Sequence, residues 1–223
     1  SFEFTFTAAF VAANPRPGGV YDYYCLPHFF ANMVGTITVI DSPYESFCSG
    51  DGGDQMGCTD CPCSNNAPVG SPGGCLNSNS QSAELIASGD PSVSNDTMRY
   101  EMTGGNPNSF AILSSGASRA PANAVNPCFG LGSGLQSPTL DGLRCAVQQV
   151  QRHGTRPMDA NGDVGVLTNG WGAPNGPPGG LIAQGGFVLG QTRHYQGAYR
   201  EEVTLGCMRG LNTSQGISVT FGL

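Results

Sequence analysis

Three residues early in the chain carry the side chains of a mononuclear electron-transfer metal site. Cys25, His28 and Met33 follow one another with the spacing Cys-x2-His-x4-Met. A thiolate and an imidazole bind a soft metal ion strongly, and a thioether completes such a site as a weak axial ligand. The spacing therefore predicts a type 1 copper site with these three ligands. The alternative is a structural cysteine in a disulfide, with His28 and Met33 as ordinary loop residues.

Short strands on either side would hold these ligands on one loop. Residues 20–25 and 35–40 are rich in β-branched and aromatic side chains, and residues 26–34 form the loop between them. Residues 2–7 alternate apolar and polar side chains, which predicts a further half-buried strand. Three strands with unpaired edges are not stable alone in water. We therefore expect identical subunits, or another chain, to complete this sheet.

Residues 1–41 resemble the C-terminal part of plastocyanin-like cupredoxins. The resemblance is carried by Tyr-Cys-x-Pro-His at 24–28, by Met-Val-Gly at 33–35 and by the Val- and Ile-rich strand after them. It implies a Greek-key β-sandwich that transfers single electrons through copper. It also implies the ligand roles, with Cys25 as the equatorial thiolate, His28 as an equatorial imidazole and Met33 as the axial ligand.

One ligand of that family has no upstream counterpart in this chain. Family members supply a second equatorial His from a strand well before the Cys, whereas the 24 residues before Cys25 contain no His. The other histidines, His153 and His194, are candidate replacements. Three interpretations stay open: an upstream segment supplies the ligand, another chain supplies it, or the strands no longer bind copper and serve as a docking element.

The remaining cysteines predict disulfides. The chain has nine Cys, and with Cys25 bound to copper the other eight can form four bonds. Such a count is typical of an oxidising compartment, which here means the periplasm, the cell surface or the medium. Cys58 and Cys61 also have a zinc-ligand spacing, but no second Cys-x2-Cys or His pair follows. The one pairing we predict is Cys128–Cys145. The predicted disulfide cysteines are Cys48, Cys58, Cys61, Cys63, Cys75, Cys128, Cys145 and Cys207.

The composition divides the chain into three parts. Residues 1–41 are the cupredoxin-like segment, 42–80 are a Cys- and Gly-rich connector stapled by disulfides, and 81–223 have the pattern of a β-sandwich or jelly roll. The expected fold class is all-β, with a partial cupredoxin-like Greek-key sheet followed by a larger β-sandwich or jelly-roll-like domain. The strands predicted in the last part are 83–88, 98–103, 109–114, 143–151, 186–200 and 216–221.

Residues 44–223 as a whole are similar to a domain of exported proteins from planctomycete-type bacteria. The similarity is carried by Ser-Phe-Cys-Ser-Gly-Asp-Gly at 46–52, Cys-Pro-Cys at 61–63, Pro-Asn-Ser-Phe at 107–110 and Asp-Gly-Leu-Arg-Cys at 141–145. The similarity implies secretion and a β-sandwich, and it implies no catalytic activity.

A second cation site is suggested by a short acidic loop. Asp159, Asn161 and Asp163 place oxygen atoms at alternate positions, as in calcium-binding loops. The EF-hand pattern fails because Val164 replaces the required Gly and no Glu stands at the twelfth loop position. The alternative is an Asn-Gly turn with solvated carboxylates. Calcium is thus a candidate cofactor beside copper.

Charge and motif content limit the function further. The net charge is −7 and all nine basic residues are Arg, so the chain is a poor candidate for nucleic acid or an anionic membrane surface. No apolar stretch is long enough to span a bilayer. No constellation of nucleophile and base indicates an enzyme, and Trp171 fits a loop anchor better than a carbohydrate-stacking platform.

Two functions remain as hypotheses. The first is an exported type 1 copper protein that exchanges single electrons with a redox protein partner, with the rest of the chain as an accessory docking domain. The second is an extracellular structural or assembly protein, of the filament or surface-layer type, in which the cupredoxin-like strands make subunit contacts.

Overall fold

The chain forms two compact units, Ser1–Ser42 and Pro43–Leu223. The computed structural model describes residues 10, 13–14, 16, 20–24, 34–38, 42–52, 58, 60–165, 169–174, 176–201 and 209–223. The two units are treated separately below.

The first unit contains an antiparallel hairpin of β1 (Val20–Tyr24) and β2 (Val34–Thr38). Tyr21 on β1 is buried, its hydroxyl donates a hydrogen bond to the carbonyl oxygen of Asn14 at 2.8 Å, and its ring lies 6.0 Å from that of Phe10. Two of the three strands predicted for this segment are therefore present. The strand predicted for residues 2–7 lies outside the described residues.

The regular secondary structure of the second unit is almost entirely β-strand. Its one described helix, α1, is short and spans Gly180–Gly185. Its strands are β3 (Tyr44–Phe47), β4 (Glu84–Ser88), β5 (Arg99–Thr103), β6 (Phe110–Gly116), β7 (Ser118–Arg119), β8 (Leu135–Gln136), β9 (Leu143–Arg144), β10 (Ala146–Val147), β11 (Gln151–Pro157), β12 (Trp171–Gly172), β13 (Thr192–Arg200) and β14 (Leu211–Thr220).

Two antiparallel sheets organise this unit. The larger has five strands in the order β11-β6-β13-β14-β3, and the smaller has three in the order β12-β5-β4. Three predicted strands, 83–88, 98–103 and 109–114, match β4, β5 and β6 within a residue or two. The predicted run 143–151 is instead broken into β9, β10 and the first residue of β11. The prediction of an all-β fold is confirmed.

The hydrophobic core lies between the two sheets. Leu85, Tyr100 and Met102 point inward from the small sheet, while Leu113 and Tyr195 point inward from the large one. The alternation of strand side chains places the intervening residues on the outer faces. The rings of Tyr100 and Tyr195 stack with their centres 4.6 Å apart, which joins the two sheets at the middle of the core.

The sheets approach each other closely at one glycine. A Cβ atom on Gly197 would lie 2.6 Å from the sulfur of Met102, so a larger residue there would require the Met102 side chain to move. Beside it, the side chain of Gln215 reaches across to β4, where it accepts the N–H of Leu85 at 2.9 Å and donates to its carbonyl oxygen at 2.8 Å. These contacts fix the sheets as a sandwich.

Disulfides fasten a further layer onto the outer face of the large sheet. Three are described, Cys48–Cys145, Cys58–Cys128 and Cys61–Cys75, and Cys63 is also in a disulfide. The prediction of disulfides rather than zinc at Cys58 and Cys61 is confirmed, and the predicted Cys128–Cys145 pair is wrong. Cys145 is bonded to Cys48 because Cys48 directly follows β3, which pairs with β14, and the Cys145 sulfur lies 3.9 Å from the carbonyl oxygen of Ser214 on β14. We refer to residues 58–80 and 128–147 as the stapled layer.

Candidate functional site

A groove of about 650 Å³ opens on the outer face of the large sheet, at the margin of the stapled layer. The side chains around it are mainly apolar or hydroxylic, with three arginines. Its lining includes Phe110, Ile112, Ser114, Ser137, Thr139, Leu140, Arg144, Ala146, Val150, Arg152, Thr155, Ala198, Arg200, Leu211 and Thr213.

The floor of the groove follows from strand alternation on β6. Ala111 and Leu113 are buried in the core. Phe110 and Ile112 alternate with them along the strand and therefore point to the opposite, outer face. Ala198 pairs with Ile112 across the sheet and shares that face. The result is an apolar floor that the stapled layer does not cover.

The wall of the groove is held to the sheet by one buried amide. Gln196 on β13 accepts the N–H of Cys145 at 2.9 Å and donates to the carbonyl oxygens of Leu143 and Ser214, each at 2.8 Å. A buried amide that satisfies its hydrogen bonds is favourable, whereas an unsatisfied one is costly. Gln196 therefore fixes the position of the segment that contains the wall residues Arg144 and Ala146.

Two further contacts hold the same wall. The Cys48–Cys145 disulfide links it to β3, and the guanidinium of Arg209 donates to the carbonyl oxygens of Ser137 and Leu140. The Cys145 bond closes a loop with a sequence separation of 97 residues. The wall is therefore positioned by covalent and polar contacts, and the groove is formed before any partner arrives.

The arginines give the groove a positive charge. Arg144 lies on the wall, Arg152 on β11 and Arg200 at the end of β13, and all three are exposed. Among the described residues none of them has a salt-bridge partner, since the recorded pairs are Arg99–Glu101 and Arg119–Glu45. None of the groove-lining residues that the structure describes is Asp or Glu. An apolar floor with unpaired guanidinium groups at its rim suits a partner with apolar and carboxylate groups.

Two His–Ser pairs lie elsewhere in the sandwich. His153 Nε2 is 2.9 Å from Ser115 Oγ, and His194 Nδ1 is 2.7 Å from Ser218 Oγ. Both hydroxyls also accept from an arginine, Arg193 in the first pair and Arg119 in the second. Burial is the main cause that lowers the pKa of both histidines, to about 4 for His194. Both serines are buried, so neither pair is open to a substrate.

His153 and His194 are thus tied into structure and are not replacement ligands for a metal. No cluster of three or more His, Cys, Asp or Glu that could bind a metal ion exists in the described part of the chain, and its seven cysteines are all in disulfides. The prediction of copper as a cofactor is therefore wrong. Cys25, His28, Met33 and Cys207 lie outside the described residues.

The candidate calcium loop is a hydrogen-bonded turn. Asp159 Oδ1 accepts the N–H groups of Asn161 at 2.8 Å and Asp163 at 3.0 Å, and Asp163 Oδ1 accepts the N–H of Gly104 at 3.0 Å. The hydrogen bond from Asp163, followed by that from Asn161, lowers the pKa of the Asp159 carboxyl. These oxygens serve the turn, and no group of three or more His, Cys, Asp or Glu that could hold a metal ion is found among the described residues. The prediction of calcium is also wrong.

Trp171 is a buried anchor. Its indole N–H donates to the carbonyl oxygen of Gly154 at 2.9 Å, and the side chain is inaccessible to solvent. The ring is therefore not available as a stacking platform for a carbohydrate.

Comparisons with protein-family models, with curated proteins and with solved structures found no match to this chain. The resemblances to cupredoxins and to the planctomycete-type domain therefore stay predictions from sequence motifs. None of the helices among the described residues has the length and hydrophobicity needed to cross a membrane. The three described disulfides indicate a non-cytoplasmic, oxidising compartment.

The groove was missed at the level of sequence because its residues come from distant parts of the chain. Phe110 and Leu211, for example, are about a hundred positions apart. One signal was present: Phe110 and Ile112 occupy the alternate positions of a predicted strand whose other face is also apolar. Apolar residues on both faces of a strand indicate that both faces are covered.

Proposed function

We propose that this chain is an extracellular structural or assembly protein, whose copies associate through the groove of the Pro43–Leu223 unit. One observation carries the proposal: an apolar floor flanked by three arginines, none with a salt-bridge partner among the described residues, is open to solvent on a disulfide-stapled sandwich. Electron transfer through copper is not proposed, because the prediction of copper as a cofactor is wrong.

Exposed apolar groups around the groove support a contact surface. Phe110, Val150 and Leu211 are 55%, 45% and 39% exposed, and all three line the same groove. Single exposed apolar residues are ordinary, but a contiguous group of them marks an interaction site. Covering this group with a partner would remove apolar surface from water, which favours association.

Charge complementarity supports a second copy as the partner. Three of the nine arginines line the groove, and none of the described acidic residues does. A copy with a net charge of −7 therefore offers the carboxylates that the groove lacks. Opposite charges steer two surfaces into register and suppress wrong partners.

The fixed wall supports a binding role as well. A surface held by a disulfide and a buried amide loses little conformational freedom when a partner binds. The Cys48–Cys145 bond and the Gln196 contacts meet at the wall that carries Arg144. Binding at the groove therefore requires little loss of conformational entropy in the wall.

The test is the mass of the native protein in solution as a function of concentration, measured by sedimentation velocity. We expect the mass to rise with concentration, and Phe110→Ser to weaken this rise. Phe129→Ser is the matched control, because Phe129 is 50% exposed and does not line the groove. A protein that stays monomeric at every concentration, or a Phe129→Ser variant that dissociates as readily as Phe110→Ser, would contradict the proposal.

A further inference from the structure

We infer that the groove of one copy binds the outer face of β4 and β5 of the next copy, so that copies join head to tail. The inference rests on the proposed function, and it names the surface of the second copy that fills the groove. It follows from the charges on the two opposite faces of the sandwich and from the symmetry that those charges allow.

The outer face of the small sheet carries carboxylate groups, which the described lining of the groove does not. Ile86 on β4 is 39% exposed and pairs directly across the sheet with Glu101 on β5. Glu84 lies two residues away on the same face of β4, and no ion pair of its carboxylate is recorded among the described residues. An apolar side chain between carboxylates is complementary to an apolar floor between guanidinium groups.

The charge on this face is negative in spite of one arginine. Arg99 on β5 forms a salt bridge with Glu101 at 2.5 Å. Glu84 remains, and Asp163 lies beside the end of β5, where its Oδ1 accepts the N–H of Gly104. Acidic groups therefore outnumber Arg99 at this surface.

The two surfaces lie on opposite sides of the unit. Leu85 and Tyr100, neighbours in sequence of Ile86 and Glu101, point into the core, so Ile86 and Glu101 point away from it. The groove lies on the outer face of the other sheet, beyond the same core. The two surfaces therefore point in opposite directions, each away from the core.

Charge repulsion disfavours the simplest alternative, a dimer in which two grooves face each other. A two-fold interface brings the same patch of both copies together. Here it would bring two grooves together that each carry Arg144, Arg152 and Arg200, and like charges in contact oppose binding. A contact between unlike surfaces avoids this repulsion. Such a contact repeats into rings or open filaments.

The experiment is a charge swap, with assembly measured by sedimentation velocity at low and at physiological ionic strength. We expect Arg200→Glu to weaken association about tenfold. We expect Glu84→Arg to have a similar effect, and the double variant Arg200→Glu with Glu84→Arg to recover most of the loss, because the opposite charges meet again. Arg16→Glu, at an exposed arginine of the first unit, is the control for the change in net charge.

Each outcome decides the inference. Thermal unfolding checks that every variant is folded. We expect all of them to fold, because the substituted side chains lie on the surface. An Arg200→Glu variant that associates like the control, or a double variant that does not recover, would overturn the head-to-tail contact while leaving the proposed function intact. A native chain that does not associate at all would overturn the proposed function itself.

Discussion

The backbone N–H of Cys145 and the side-chain oxygen of Gln196 lie 2.9 Å apart, which joins a disulfide of the stapled layer to the middle of the large sheet. The same Gln196 amide donates to Leu143 and Ser214. One side chain therefore connects the core strands β13 and β14 to the wall of the groove. This relationship explains how a layer with few apolar residues keeps a defined position over the sheet.

The first prediction concerns this amide. Gln196→Leu removes the partners of the Cys145 N–H and of the Ser214 carbonyl, both of which are buried. We expect the free energy of unfolding to fall by about 2–4 kcal/mol, since each buried polar group left unsatisfied costs about 1–3 kcal/mol. Chemical denaturation measures the change. Gln151→Leu is the control, because Gln151 is exposed and makes a single side-chain hydrogen bond to Gly185 at 3.2 Å. Equal losses in the two variants would contradict the role given to Gln196.

The second prediction concerns the disulfides. Replacement of Cys48 and Cys145 together by Ala should lower the free energy of unfolding by about 4 kcal/mol, and replacement of Cys61 and Cys75 by about 3 kcal/mol, because the first bond closes the longer loop. The sequence separations are 97 and 14 residues. Denaturation of both double variants checks the order. A larger loss for the Cys61–Cys75 variant would show that loop length does not set the ranking.

The strands of this fold were predictable because alternation is a local property. Tyr100 and Met102 alternate with polar neighbours on β5, and the strand was placed within a residue. The prediction of one strand over 143–151 is wrong, because contacts with distant residues determine the backbone path of this run. Gln196 and the Cys145 disulfide hold Leu143 and Cys145 against the sheet. Such long-range contacts leave no periodic signal in the sequence.

Pairing between distant cysteines was unpredictable for the same reason. The predicted Cys128–Cys145 bond joined two cysteines close in sequence, whereas the observed partners are set by sheet order. β3 is the first strand of the unit but lies beside β14, the last, and this brings Cys48 to Cys145. The acidic turn at Asp159 was read as a cation site because hydrogen bonds to backbone N–H groups and bonds to a metal use the same residue types.

The third prediction concerns pH. Burial, followed by the charges of Arg119 and Arg193, lowers the pKa of His194 from the usual 6.5 to about 4. The folded state then binds fewer protons than the unfolded state between these values, so stability is full above pH 6.5 and falls as the pH drops towards 4. We expect His194 to contribute about 2–3 kcal/mol of this loss.

Nuclear magnetic resonance of the histidine rings measures this pKa directly, and denaturation at several pH values measures its consequence. The His194→Gln variant should lose less stability than the native chain between pH 6.5 and 4, because it lacks the group that must be protonated. His153 stays in both proteins, and burial lowers its pKa in the same direction. A titration midpoint of His194 near 6.5 would contradict the prediction.

The last prediction concerns the fourth disulfide. Cys63 is in a disulfide, and the other six described cysteines are bonded among themselves, so Cys25 and Cys207 are the candidate partners. Cys63 Sγ lies 3.4 Å from Asp141 Oδ1, and the same oxygen accepts the N–H of Arg209 at 3.4 Å. Because Arg209 follows Cys207 by two residues, we expect Cys63 to be bonded to Cys207 and Cys25 to keep a free thiol.

Cleavage at aspartates without reduction, after free thiols have been blocked, separates these alternatives by mass spectrometry. Asp22 and Asp41 flank Cys25, while Asp60 and Asp90 flank Cys63, so the two cysteines fall in different peptides. The expected result is a blocking group on the Cys25 peptide and a crosslink between the peptides of Cys63 and Cys207. A crosslink between the peptides of Cys63 and Cys25 would contradict the prediction, because it would tie the first unit covalently to the stapled layer of the second.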